Sequence, residues 1–318
     1  MIIGWPKVGC FRDIWRENKC IILLISGYLL VLIDLLFNFS PVIGAIIPAT
    51  SIITNNEQEK SSCLSFLRDL PLKYNKSKID SICSDVSKLA ICNSIKNQPI
   101  FHYEKVGQNK KALKILAFAL IHGDEPLSAS AARAWMERLV SITPRNSWRI
   151  IPITNPDGWK SGIRGNANGV DLNRNFPTKN WEKESDVHWK RHKHKDPRRY
   201  PGKSAGSELE TRCLIEHINN YQPDFVVAIH TPLGLLDFDG PDIKYPKKTY
   251  LPWIKLGTYP GSLGRYLWRE RKTPVLTIEL KEANYIQHIK ELDELQDISG
   301  LMAIMANSKY QNRRAIDD

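Results

Sequence analysis

Three separated apolar runs each end on an ionisable side chain, and that pattern constrains the fold more than any other feature of the chain. Residues 112–121 lead into His122, residues 225–229 into His230 and residues 274–278 into Glu279. A fourth run covers 149–154 and stops at Asn155. Short runs without a polar face suit strands covered on both sides. Between the first and fourth runs, residues 126–140 have helical spacing, with Pro126 suited to a first helical turn. Ser207-Glu-Leu-Glu210 has the spacing of a capping box opening a helix that runs to about Asn220. This alternation predicts an α/β fold. Ligands of open α/β sheets lie outside the carboxyl ends of the strands, so His122, His230 and Glu279 are expected at one crevice.

The residue types gathered there suit a hydrolytic metal site. Glu125 follows His122 by three positions, close enough for both side chains to reach one ion. Catalytic zinc takes three protein ligands from His, Asp and Glu and keeps a position open for water, and a further carboxylate can take that water's proton. Taken alone, Glu125 better suits a helix N-terminus, where its charge meets the macrodipole.

A second block adds anion recognition. Asn155-Pro-Asp-Gly158 is followed by Arg164-Gly-Asn166 and by Gly169-Val-Asp-Leu-Asn-Arg-Asn-Phe-Pro177. Arg174 can clamp a carboxylate through two parallel hydrogen bonds with Asn173 adding a donor, and Arg164 can stabilise an oxyanion.

HxxE, NPDG…RxN, GVDLNRNFP, a strand-end His and TxEL together resemble the zinc carboxypeptidase family over about residues 97–308. Within it, the HGDE form and the segment His230-Thr-Pro-Leu-Gly-Leu-Leu-Asp-Phe-Asp-Gly-Pro241 resemble the bacterial murein tripeptide amidases. The resemblance implies a mixed sheet flanked by helices and one zinc ion held by His122, Glu125 and His230, with Glu279 as general base. It further implies Arg164 on the scissile carbonyl and Asn173 and Arg174 on the substrate's terminal carboxylate. Tyr259 loosely matches the family's mobile substrate-contacting tyrosine, and equally suits a packed loop aromatic. Digestive members carry Arg between the HxxE ligands where this chain has Asp124, which turns the expectation away from ordinary C-terminal cleavage.

The N-terminal part suggests where such an enzyme works. Residues 21–37 are apolar but for Asp34 and follow Lys7, Arg12, Arg16 and Lys19, which predicts an uncleaved membrane anchor with a cytoplasmic tip over 1–49. A cleaved signal peptide is the alternative. Residues 50–96 read as a polar connector with short helices and 97–318 as the catalytic domain. Under this topology Cys63, Cys83, Cys92 and Cys213 are exported, where disulfides persist. Cys83 with Cys92 closes a short loop and is the expected pair, and Cys213 suits a buried thiol. The net charge of +11 suggests an anionic surface or polymer, but no nucleic-acid-binding motif appears. About half of that charge comes from 179–203, where nine Lys/Arg stand against four Asp/Glu, and a solvated basic loop is expected there.

The expected activity is hydrolysis of the γ-D-glutamyl–meso-diaminopimelate amide of peptidoglycan peptides by an inner-membrane-anchored periplasmic enzyme. Asp237 or Asp239 is expected on the ammonium of diaminopimelate. The rivals are a conventional carboxypeptidase acting on α-peptides, an aspartoacylase-like deacylase and an anchored wall-binding protein without catalysis.

Overall fold

The computed structural model describes residues 49–281 and 289–317. Two units divide the chain, Met1–Asn55 and Asn56–Asp318, and the sheet, the cleft and the core-facing residues of the helices belong to the second. The anchor expected at 21–37 lies outside the described residues. Among the described residues no helix is long and apolar enough to cross a membrane.

The apolar runs form strands as expected. β2 (Lys114–Ala119), β3 (Ser147–Ile151), β4 (Phe225–His230) and β6 (Val275–Lys281) are parallel neighbours in the order β3-β2-β4-β6. Two antiparallel edge strands complete the sheet, β1 (Tyr103–Lys105) beside β3 and β5 (Leu233–Asp239) beside β6. At the β5 edge the mixed pairing follows from chain connection: the short loop after β4 reverses the chain, so β5 runs opposite to β4 and to β6, which is parallel to β4.

Side-chain alternation divides the core into two layers. Ile115, Ala117, Val227, Ile229, Leu276 and Ile278 face one layer; Leu116, Phe118, Val226 and Ala228 face the other. The first layer is covered by α3 (Pro126–Ser141) through Trp135 and Met136, and by α7 (Ile289–Asp317) through Leu292 and Leu295. The second is covered by α6 (Leu209–Tyr221) through Cys213, Leu214 and Ile218. Burial on both faces leaves the strand ends as the place where polar side chains can emerge.

Two expectations fail on tertiary contacts. The segment 50–96 is not a connector: α1 (Ala49–Asp69) and α2 (Lys76–Asp85) send Cys63, Leu67, Ile79 and Ile82 into the first core layer. Arg133 of α3, 1% exposed, donates to the carbonyls of Leu67, Leu70, Pro71 and Leu72 and so satisfies the open end of α1. The capping box before α6 does not form either. Ser207 Oγ donates to Glu208 Oε1 (2.6 Å), and the Glu210 carboxylate accepts from Ile95 N and Asn166 Nδ2 instead.

The disulfides are Cys63–Cys83 and Cys92–Cys213, not the short Cys83–Cys92 loop, and Cys213 is not a free thiol. Cys63 and Cys83 staple α1 to α2. Cys92 and Cys213 lie 121 residues apart in sequence and close a far larger loop. Loop-closure entropy makes such a bond a large contributor. Replacing Cys92 and Cys213 by Ser should lower unfolding stability by about 2–5 kcal/mol. Denaturant titration under non-reducing conditions reads the difference.

Candidate active site

β2 stops at Ala119, and Leu120, with φ +53°, turns the chain out of the sheet toward His122. Leu120 N donates to Ser128 Oγ (2.9 Å), which itself donates to the Glu125 carbonyl (2.7 Å), so the turn is tied to the first turn of α3. Gly123 is dictated by crowding. A Cβ there would be driven into the backbone of Gly158 and Trp159, at the NPDG helix α4 (Pro156–Ser161). Asn155 caps that helix through Gly158 N (2.9 Å). The two glycine-bearing motifs are therefore halves of one close backbone approach.

Glu125 occupies the N-cap position of α3 but makes no side-chain cap hydrogen bond. Its carboxylate points at the histidines, so the helix-dipole reading of this residue does not hold. His122 Nδ1 lies 2.7 Å from Glu125 Oε1, and His230 Nδ1, from the last residue of β4, lies 3.0 Å from Oε2. All three side chains are buried, and their ligand atoms fall within 4.8 Å of one another. Two imidazole nitrogens and one carboxylate in that space are a donor set that suits zinc.

The opposite nitrogen of His122, Nε2, lies 3.1 Å from Asp171 Oδ1, so the ring is held between two carboxylates with Nδ1 toward Glu125. Asp171 is fully buried and also accepts from Asn173 N (3.0 Å) and Arg164 Nε (3.1 Å). A carboxylate behind a ligating histidine fixes ring orientation and raises ligand basicity. The charges couple accordingly. Burial would raise the Asp171 and Glu125 carboxyls, but Arg164 and His122 hold Asp171, and His122 and His230 hold Glu125, well below the usual carboxylate range. Burial would lower His122, yet Glu125 and Asp171 raise it.

Glu279 lies in β6 in register with His230, one strand over. Burial raises its carboxyl, and Glu125 adds to this against the pull of His230. A carboxyl set so is suited to moving a proton.

A cleft of about 380 Å³ opens over these residues, and every side chain given a site role from the sequence lines it. Arg164 follows α4, its Nε on Asp171 and its Nη1 3.5 Å from Glu125. Asn173 and Arg174 belong to a single 3-10 turn, Leu172–Arg174, capped by Asp171. Asn173 Oδ1 accepts from Leu263 N (2.9 Å), which fixes the amide. Arg174, 7% exposed, makes no salt bridge among the described residues; its guanidinium donates to the Asn173 carbonyl (2.6 Å) and lies over the Tyr259 ring at 4.8 Å. The Tyr259 ring also meets His188 (5.6 Å), so it is both packed and at the cleft. Asp237 and Asp239 stand two apart on β5 and face the same cleft. Burial, with Asp237 adding to it, pushes the Asp239 carboxyl up to about 6.

Three residues carried no assigned role in the sequence reading. Asp171 lies inside GVDLNRNFP and its position before the turn was a usable signal. Arg198 and Arg199 come from the basic segment, which is not a solvated loop. It folds as α5 (Trp181–Val187), a π turn (His188–His192) and a 3-10 turn (Pro197–Arg199), with Trp181 buried and its Nε1 donating to the Arg174 carbonyl (2.9 Å). Cys92, Cys213 and His217 form another close group, but the disulfide removes both thiolates as ligands. Asp171→Asn should weaken zinc binding about 10–100-fold, the usual cost of losing an outer partner. Chelator competition on the folded variant measures this; unchanged affinity would mean Asp171 does not orient the ligand.

A model of the zinc carboxypeptidase family matches residues 77–236, half of the chain. Murein peptide amidase A of Escherichia coli K12 is 34% identical over 146 residues, covering 45% of this chain and 59% of that protein. The Vibrio campbellii protein of the same name is 34% identical over 195 residues, covering 59% of this chain and 76% of the relative. The chain thus spans about three fifths of the E. coli K12 relative's length. In fold it is similar to the murein-tripeptide amidase of E. coli O157 (TM-score 0.51, 24% identity, 72% of this chain and 98% of that one). It is likewise similar to carboxypeptidase A from Helicoverpa armigera (TM-score 0.56, 16% identity, 82% of each chain). With the motifs, the mixed sheet and the His-Glu-His cradle in agreement, the chain belongs to the zinc carboxypeptidase family.

Proposed function

We propose that this chain is a zinc-dependent amidase that cleaves the γ-D-glutamyl–meso-diaminopimelate bond of peptidoglycan peptides. The observation that carries this reading is the polarity of the cleft. A carboxylate clamp, Asn173 and Arg174, and a pair of buried carboxylates, Asp237 and Asp239, share one cavity with the metal cradle. Diaminopimelate carries carboxylates and a distal ammonium, so it has a partner for each. Two relatives bear the name murein peptide amidase A, which supports the same substrate class.

His122, Glu125 and His230 would hold the zinc ion. When bound, the ion acts as a Lewis acid toward the scissile carbonyl and lowers the pKa of its water to about 7. Glu279 takes a proton from the attacking water and passes it to the leaving amine. Arg164, fixed by Asp171, donates to the carbonyl oxygen as negative charge grows there. Arg174 and Asn173 hold the terminal carboxylate, Tyr259 closes over the Arg174 guanidinium, and Asp237 accepts from the ammonium.

The zinc-loaded protein should release diaminopimelate from L-Ala-γ-D-Glu-diaminopimelate and lose this with chelator. Glu279→Gln should reduce kcat by roughly a hundredfold or more while retaining the metal. Asp237→Asn should raise KM about tenfold for the same peptide. Mass spectrometry of the products decides. Cleavage of α-peptides with the tripeptide untouched would instead identify a conventional carboxypeptidase.

We also propose an inner-membrane anchor at 21–37, with the catalytic domain in the periplasm. The basic residues before the apolar run support the orientation, and two disulfides suit an oxidising compartment. In a Gram-negative host the full chain should resist extraction from membranes by carbonate and be degraded by protease added to spheroplasts. A shorter, soluble periplasmic form would point to a cleaved signal.

A further inference from the structure

The cleft runs from the carboxyl ends of β2, β4 and β6 onto the antiparallel edge strand β5. His122 follows β2, His230 ends β4, Glu279 lies in β6, and Asp237 and Asp239 lie on β5. Neighbouring strands are about 4.8 Å apart, so the β2 and β5 sides are separated by roughly 14 Å. The acidic pair occupies the β5 end. Arg198 reaches the β2 end, where its Nη2 donates at 2.6 Å to Oδ2 of Asp124, the residue between His122 and Glu125 in sequence.

The segment that brings Arg198 there is firmly held. Tyr200 O accepts from Asp171 N (2.8 Å), Pro201 O from Asn175 Nδ2 (2.8 Å), and Trp189 Nε1 donates to Asp196 O (2.8 Å). The Asp196 side chain caps the 3-10 turn by accepting from Arg198 N (2.9 Å). Arg198 and Arg199 both reach the cleft wall from that turn.

The wall holds more positive charge than the proposed reaction uses. Arg164 is matched by Asp171 and Glu125, and Arg174 is assigned to the terminal carboxylate. Arg198 is shared with Asp124 but its side chain is 59% exposed. Among the described residues Arg199 has one carboxylate contact, Asp196 at 3.8 Å, with both side chains exposed. Arg198 lies at Asp124, on the side of the metal cradle away from the acidic pair, and Arg199 stands beside it, near enough to Arg174 for the two charges to oppose one another. If the amine-bearing half of the substrate extends toward β5, the acyl half extends toward Arg198 and Arg199.

We propose that Arg198 and Arg199 form a second anion subsite that reads a carboxylate on the acyl side of the scissile bond. Asp124 positions Arg198 in it. This rests on the amidase reading and sharpens it: a γ-linked glutamyl residue keeps its own α-carboxylate, a few bonds beyond the carbonyl under attack. An α-linked residue has spent that carboxylate in the peptide bond.

The test uses the zinc-loaded protein with L-Ala-γ-D-Glu-diaminopimelate and its amidated twin, in which isoglutamine replaces the glutamyl residue. The carboxylate form should be favoured about tenfold or more in kcat/KM, as suits a charge-assisted contact, and the preference should shrink as salt is added. Arg199→Gln alone and Arg198→Gln with Arg199→Gln should move the ratio toward one, and the corresponding Lys variants should keep part of it. A ratio near one in the unmodified protein, or one unchanged in the double variant, overturns the subsite while leaving the amidase reading intact. If neither tripeptide is cleaved but α-peptides are, the amidase reading falls. The same ratio taken between Glu and Gln at the acyl residue then decides the subsite: a preference lost in the variants sustains it, and equal rates overturn it.

Discussion

The buried chain of charges from Arg164 through Asp171, His122 and Glu125 to His230 is the arrangement on which the rest of the site depends. Each of its members is costly to bury alone, and each is matched by a neighbour. Asp171 accepts from Arg164 and Asn173 and lies against His122, and so connects the loop after β2 with the 3-10 turn that carries the carboxylate clamp. With Asp171 at the far nitrogen of His122, the near nitrogen faces Glu125. The metal cradle and the proposed substrate clamp are thereby referred to one fixed carboxylate.

Backbone crowding supports that arrangement. The HGDE turn and the NPDG helix touch through Gly123 and Gly158, and Gly123 N donates to the Arg164 carbonyl at 3.1 Å. A side chain at Gly123 would separate Arg164 from the ligands by pushing the two motifs apart, and one at Gly158 would strike the Gly165 carbonyl and the capping Asn155. The glycines are thus part of the electrostatics, since they set how near the guanidinium lies to the carboxylates it stabilises.

What could be read from the sequence was what depends on local period and local motif. The parallel strands announced themselves as unbroken apolar runs, and His122, His230 and Glu279 as the polar residues where those runs end. Arg164, Asn173 and Arg174 were legible as a block because they sit on one compact loop. Less legible were contacts between residues distant in sequence. Arg198 is 74 positions from Asp124, and Cys92 is 121 from Cys213. β5 was hidden because its inward residues include Asp237 and Asp239, which interrupt an apolar pattern. Cys63, Phe66, Leu67 and Leu70 have helical spacing, but polar neighbours mask their core face.

The Cys92–Cys213 bond has a topological consequence. It closes a covalent ring that contains HGDE, NPDG, the NRNF turn and the whole basic segment. The Lys- and Arg-rich stretch at 179–203 is the part of that ring richest in sites for trypsin-like proteases. A single cut there opens the ring without releasing a fragment, since the metal-ligand loop and α6 stay joined through sulfur. Nicked and intact molecules would keep the same mass apart from one added water, and would separate into pieces only on reduction.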